Sequence, residues 1–365
     1  MTIPLPARAG HLLSFAQSLK GGGVERALLR LAGEWAARER RVTLVIGDPT
    51  GPLAGELPAG VEVLDGGGGG YLAMTRAVVS AVRAGRPDLI FCPGNHYTGA
   101  AALLRPFADA PIVAKLSNAL AGTHHGVTDL GYRGWLRLHQ AFVDRLVAMT
   151  PASAGEARAL MRMPADRISV IANPPARRRA DAAPLALPAG RFILGVGRLA
   201  PQKRWERLVA AMPSMPADVS LLILGEGPER AAIEAQAAAL GVAERVRLPG
   251  HAADPLPAMA AATVVALTSD HEGVPGVLRE ALGEGAPVVS TDSSVAIPEL
   301  VDSPAKGTIV PRGDAAALVA ALIRWLSPDA VRPPPMRVTG DPAGDYLALF
   351  DALVSSGRPR RGARR

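Results

Sequence analysis

The chain has 365 residues, 48% hydrophobic and 20% charged, enough for two domains that each bury a core. Its 40 Lys+Arg against 33 Asp+Glu give a net charge of +7, but the last eight residues (358–365) hold five Arg and no acid, so the body is close to neutral and no nucleic-acid surface is expected. The single cysteine, Cys92, excludes a disulfide scaffold and a Cys-based zinc site and suits a reducing cytosol. The start lacks a signal-peptide pattern, no run of about 18 apolar residues appears, and 4% aromatics argues against stacking platforms for single strands.

Helical spacing first appears over 24–40, where Val24, Ala27, Leu28, Leu31 and Trp35 share one face. Short apolar runs at 42–46, 88–91, 111–116 and 145–149, each ended by Gly, Pro, Asn or Thr, predict buried parallel strands. A Pro-rich stretch without helical period, 173–190, follows; its Arg177–Arg178–Arg179 run reads as a solvated linker face. A second set of runs lies at 191–195, 219–224, 245–248, 263–267 and 287–290. Such alternation predicts an α/β chain of two Rossmann-like, doubly wound domains. We expect the first at 1–175, a linker at 176–190 and the second at 191–340. After Pro333–Pro334–Pro335, a terminal helix is expected within 341–357, packing back on the first domain, and then a disordered basic tail, 358–365.

The stretch richest in chemistry is 268–292. Glu272-Gly273-Val274-Pro275-Gly276 follows a strand and opens a helix near Pro275. The glycines let backbone N–H groups approach a ligand, and a helix N-terminus favours anionic oxygens. Glu272 before the turn and Glu280 about one turn inside the helix suit the vicinal hydroxyls of a sugar. A capped, charged surface helix is the plainer reading of the carboxylates alone. A competing motif, Gly195-x-Gly197-x-x-Ala200, matches a dinucleotide fingerprint, but Glu226 lies 31 residues after Gly195, where an acid is expected about 20 residues on. Hydride transfer is therefore set aside.

Glu272 and Glu280 resemble the E-x7-E signature of the family 4 retaining glycosyltransferases. Gly22-Gly23-Val24-Glu25-Arg26 resembles that family's glycine-rich first loop, 165–174 the segment closing its first domain, and Gly195–Leu199 with Gln202 and Lys203 its donor-phosphate loop. Segments 225–228, 248–251 and 309–314 fall at further family positions, in order. The resemblance implies the GT-B fold, two Rossmann-like domains facing a deep cleft. It implies that Arg198 and Lys203 hold the diphosphate of a sugar nucleotide and stabilise charge on the leaving group. Glu280 would take the ribose hydroxyls. Glu272 with the Gly273, Val274, Pro275 and Gly276 backbone would meet donor sugar and phosphate, and Gly22 and Gly23 would line the opposite wall. Family members often end a first-domain strand with His near the donor sugar; here strand 111–116 ends in Ser117 and Asn118, so these two and His124, in a later loop, are further candidates, with His251 beside the base-selecting loop.

No metal or other cofactor is implied, the Asp-x-Asp metal motif being absent, and the sugar nucleotide is a co-substrate. The implied reaction is front-face transfer to a glycan or lipid-linked acceptor, in surface polysaccharide or glycolipid synthesis, by a cytoplasmic protein. A GT-B-type sugar-nucleotide epimerase, which needs no acceptor, is the alternative. A binding role is the third reading, with the basic tail docking peripherally on an anionic membrane.

Overall fold

The computed structural model describes residues 8–68, 70–121, 127–179, 182–337 and 339–356. The candidate His124 and the basic tail lie outside these described residues. The chain divides into two units: the described residues up to Pro174 together with those from Gly340 onward, and Pro175–Thr339.

In the first unit seven parallel strands stand in the order β3-β2-β1-β4-β5-β6-β7. They are β1 (His11–Ser18), β2 (Arg41–Asp48), β3 (Val61–Asp65), β4 (Leu89–Cys92), β5 (Ile112–Lys115), β6 (Arg145–Ala148) and β7 (Ile168–Val170). The second unit has six, in the order β10-β9-β8-β11-β12-β13: β8 (Phe192–Val196), β9 (Ser220–Leu224), β10 (Val246–Gly250), β11 (Val264–Leu267), β12 (Val288–Thr291) and β13 (Gly307–Val310). All registers are parallel and helices intervene, so both sheets are doubly wound. The order reverses between β1 and β4 in one sheet and between β8 and β11 in the other. At such reversals the loops leaving adjacent strands part, opening a crevice at the carboxyl ends.

The central strands are apolar on both faces because helices cover both. β4 (LIFC), β5 (IVAK), β11 (VVAL) and β12 (VVST) are buried at every position. Strands β1, β3, β7 and β13 were not expected from the sequence. In β1 a buried Ser14 interrupts the apolar run; its hydroxyl donates to Phe91 O at 2.7 Å and so costs little. In β13, Gly307 is required because a Cβ there would meet Val288 O of β12.

The first helix spans Gly23–Ala37 and buries Ala27, Leu28, Leu31 and Trp35, as its period predicts. It stops short of the predicted Arg40. The chain turns at Glu39 in the left-handed region (φ 60), and the Arg40 guanidinium is turned to a partner instead. That partner belongs to the helix Pro342–Ser355, which packs in this first unit. Tyr346 and Phe350 lie edge-on to Trp35 at 5.8 and 5.3 Å between ring centroids. Asp351 accepts from Arg40 Nη2 at 2.8 Å and from Ala9 N at 2.8 Å, and Asp341 caps the helix by accepting from Gly344 N at 3.1 Å. In the second unit, Arg178 pairs with Glu284 and Arg179 N donates to Asp254 at 2.9 Å.

The Asp351→Ala variant leaves the Arg40 guanidinium, whose side chain is 6% exposed, without its carboxylate. Asp351 itself is one-third exposed, which discounts the pair. We expect a loss of about 2 kcal/mol in chemical denaturation with the helix content of the folded protein unchanged. An unaltered midpoint would show that the aromatic contacts alone dock this helix.

Candidate functional site

In the second unit the loops leaving β8 and β11 are laced together. Thr268 Oγ1 donates to Lys203 O (3.1 Å) and Arg204 O (3.0 Å), Asp270 N to Gln202 O (3.0 Å), and Gln202 Nε2 to His271 O (2.5 Å). Glycine permits this closeness. A Cβ on Gly195 would lie 2.8 Å from the buried Trp205 ring, and one on Gly225 would collide with Gly197 O. Trp205 Nε1 donates to Arg198 O at 2.8 Å, so the same indole supports the loop from below and fixes its backbone.

On this frame Lys203 Nζ donates to Glu272 Oε1 at 2.6 Å, and Ser269 Oγ donates to the same oxygen at 2.6 Å. The side chains are 20% and 10% exposed, so the pair is only partly screened by water. Glu272 N donates to Ser293 O at 2.8 Å, anchoring the carboxylate to the loop after β12. Glu272 Oε2 holds no partner among the described residues. Arg198 is exposed on the same loop as Lys203, and its guanidinium likewise has no partner among the described residues. One structure-held cation, one exposed cation and one acceptor oxygen thus gather at the β8/β11 reversal.

Gly273, Val274 and Pro275 lead into the helix Gly276–Gly283, with Pro275 at the N-cap and no side chain capping it. Ser294 Oγ donates to Gly273 O and holds the turn. Glu280 is half-buried about one turn into this helix. Burial lowers the pKa of its neighbour Arg279, while the Glu280 charge opposes that shift. His251 follows β10, two strands from β8, so roughly 10 Å of sheet separates it from the Lys203 loop. It is exposed at the carboxyl end of the edge strand β10 and does not join the Lys203–Glu272 cluster.

In the first unit Gly22 is the N-cap of the helix Gly23–Ala37, and a Cβ on it would run into Glu25 Oε2. Gly23 is exposed with open space around it. Ser117 and Asn118, after β5, are tied to the loop after β4. Ser117 N donates to Asn95 Oδ1 at 2.7 Å, Asn95 N to Ser117 Oγ at 3.1 Å, and Asn95 Nδ2 to Asn118 O at 3.0 Å. Below them Lys115, 1% exposed, donates to Asn173 Oδ1 at 2.6 Å.

The structure adds a cluster that the sequence analysis did not assign. Tyr97 Oη donates to Glu25 Oε1 at 2.8 Å and accepts from Gln17 N at 2.9 Å, while His96 Nε2 stands 3.6 Å from the same carboxylate oxygen. This joins the β1 side of the reversal to the β4 side. The Glu25 carboxyl sits below its ordinary value: burial pushes it up, and hydrogen bonds from His96, its own amide and Tyr97 outweigh that push. Burial pushes the Tyr97 hydroxyl far up, so it remains a donor.

Two family profiles match the chain. The one described as Glycosyl transferase 4-like domain covers residues 22–174, and the one described as Glycosyl transferases group 1 covers 190–328. The lipopolysaccharide core biosynthesis glycosyltransferase LpsE of Rhizobium meliloti (strain 1021) is 33% identical over 153 residues, 42% of this chain and 44% of its own. LpsD of the same organism is 30% identical over 198 residues, 52% of this chain and 55% of its own. The matched stretches therefore span about half the length of these curated relatives or less. Among solved structures, Anabaena HepE in complex with UDP and glucose is similar with a TM-score of 0.70 at 24% identity, covering 95% of this chain and 97% of its own. WaaG, a glycosyltransferase involved in lipopolysaccharide biosynthesis, gives 0.67 at 18% identity, covering 95% and 96%. These likenesses establish the GT-B fold.

A carboxyl depressed in the folded state adds stability above its unfolded value, 4.5 for Glu25, and loses that stability as the pH falls through the lower folded value. The wild-type protein should therefore weaken below pH 4.5 more steeply than Glu25→Gln, with the two curves running parallel near neutrality. Denaturation midpoints measured from about pH 6 downward test this. Parallel curves throughout would remove Glu25 from the acid response.

Proposed function

Because the chain belongs to the family 4-type GT-B glycosyltransferases, we propose that it moves a sugar from a nucleoside-diphosphate sugar to an acceptor hydroxyl, with retention at the anomeric carbon. The observation that carries this reading is the Lys203–Glu272 pair at the β8/β11 reversal, on the same loop as an exposed Arg198 that has no partner among the described residues. A diphosphate arriving there meets the Arg198 fork and competes with Glu272 for the Lys203 ammonium. As Lys203 turns to the phosphate, Glu272 gains freedom to accept from hydroxyls of the donor sugar. The backbone N–H groups of Gly273, Val274 and Gly276 are available to the phosphate oxygens, and Glu280 accepts from the ribose.

In the transfer step the bond from the acceptor oxygen to the anomeric carbon forms as the bond from that carbon to the diphosphate breaks. The acceptor proton ends on the departing diphosphate, and Arg198 and Lys203 stabilise the charge that grows there. No covalent nucleophile is assigned. The complexes of Anabaena HepE with UDP-glucose and with UDP support a nucleotide donor, and the names of LpsE and LpsD support a glycan acceptor in surface polysaccharide synthesis. The same names favour transfer over epimerisation.

A panel of UDP-, GDP- and ADP-sugars should contain one that raises the melting temperature, since a ligand at 100 times its Kd adds about 2.7 kcal/mol. With that donor, Arg198→Ala and Lys203→Ala are expected to lower nucleoside-diphosphate release about 100-fold or more while remaining folded. Glu280→Ala should weaken donor binding about tenfold with a smaller effect on turnover. NMR of the glycoside formed should show the donor's anomeric configuration. Undiminished turnover in both basic variants would overturn the phosphate assignment, and inverted product would overturn retention.

A further inference from the structure

Four non-glycine residues among those described take a left-handed backbone: Glu39, Arg86, Arg162 and Arg204. Arg86 and Arg162 close the helices Tyr71–Gly85 and Pro151–Met161, and Glu39 follows the end of Gly23–Ala37, places where the chain reverses after a regular helix. Arg204 stands instead at the second unit's crevice and closes only one short turn, Pro201–Lys203, with φ 54 and ψ 41. A Cβ in this region crowds the backbone, so the conformation needs support from outside the turn.

That support comes from the β11 side of the crevice. Arg204 Nε lies 2.7 Å from Asp270 Oδ2, an ion pair not aligned as a hydrogen bond. Asp270 is itself held from three directions: Oδ1 accepts from Arg207 Nη2 at 2.6 Å, its N–H donates to Gln202 O at 3.0 Å, and its carbonyl accepts from Arg312 Nη1 at 3.1 Å. Arg207 also donates to Thr268 O at 2.9 Å. The turn at Arg204 separates two side chains with opposite destinations. Lys203 reaches Glu272, while Trp205, 1% exposed, goes beneath the loop and donates to Arg198 O. With residue 204 in the right-handed or extended region, Lys203 and Trp205 could not both keep these places.

We propose that the Arg204–Asp270 pair is a positioning device for the transfer reaction. It holds residue 204 left-handed and thereby aims Lys203 at Glu272 and at the incoming diphosphate, a role that rests on the reading of Lys203 as a phosphate ligand. Arg204 acts through its backbone, and its side chain secures that backbone through Asp270. The two side chains are 42% and 35% exposed, so the pair adds little to global stability and its loss is read in turnover. The Cβ of Arg204 is what makes the pair necessary, since glycine takes the left-handed region freely.

The test compares Arg204→Ala with Arg204→Gly in the full chain. Both remove the ion pair, but only alanine keeps the Cβ. With the donor found in the melting-temperature panel, Arg204→Ala is expected to lower kcat about fivefold, and Arg204→Gly to stay within about twofold of the parent. Asp270→Asn should lower kcat in the parent and distinctly less in the Arg204→Gly background. Exchange of the Trp205 indole N–H with solvent, followed by NMR without any donor, should quicken in Arg204→Ala and Asp270→Asn and match the parent in Arg204→Gly. Melting temperatures should stay close to the parent's; if Asp270→Asn does not fold, the two Arg204 variants decide alone. Equal losses in Arg204→Ala and Arg204→Gly would mean that the guanidinium itself meets the donor, and no loss in either that the rest of the turn suffices. Each overturns the proposal, as does an equal effect of Asp270→Asn in both backgrounds. A chain that binds no sugar nucleotide overturns the donor reading instead, and the indole exchange then decides for or against the positioning.

Discussion

The 2.6 Å contact between Lys203 and Glu272 organises the second unit's crevice. It joins a cation from the β8 side of the sheet reversal to a carboxylate from the β11 side, in a setting where removing either partner strands a charge with little water to relieve it. The contact depends on backbone closeness that only glycine allows at Gly195 and Gly225, and on Trp205 filling the space beneath. Because Ser269 donates to the same carboxylate oxygen, Glu272 stays oriented even when Lys203 turns away. A competing anion therefore meets a cation already aimed at the crevice and displaces only one of the two bonds that hold the carboxylate.

The first unit repeats the device with different chemistry. Glu25 stands on the β1 side of its reversal and Tyr97 on the β4 side, joined at 2.8 Å. Here the donor is a phenol that burial keeps protonated, so the tie persists at pH values where Glu25 is ionised and weakens in acid. In both sheets a carboxylate bridges the place where the strand order reverses, which is where a doubly wound fold would otherwise be left open.

The sequence made the alternation of elements legible, because buried parallel strands read as unbroken apolar runs, and it made Glu272 and Glu280 legible through their spacing. It hid β1, whose run is broken by Ser14, and with β1 it hid the first sheet's point of reversal. Without that point, His96 is an ordinary loop residue and Glu25 an acid in the first turn of a helix, where its charge suits the dipole without further cause. The Lys203–Glu272 contact was invisible for another reason: its partners are 69 residues apart and meet only through the β8–β11 adjacency. The glycines were legible as loops but not as packing surfaces, since the collisions they avoid are between distant stretches of chain.

Arginine is the commonest charge here, and partners separate its uses. Arg40 with Asp351, Arg105 with Asp144 and Arg191 with Asp218 are matched to carboxylates and hold elements together. Arg198, Arg76 and Arg83 are exposed with no carboxylate partner among the described residues, although exposed acids are plentiful on the chain. A surface pair would stabilise the fold by at most about 1 kcal/mol, so folding gains little by supplying the missing acids. An anionic ligand gains more from their absence, because an intramolecular carboxylate would have to be displaced before a phosphate could bind. Near neutrality in the body is therefore compatible with strong local anion binding: Arg198 has no competing acid among the described residues, and the carboxylate that competes for Lys203, Glu272, keeps a second donor in Ser269 when the cation turns away.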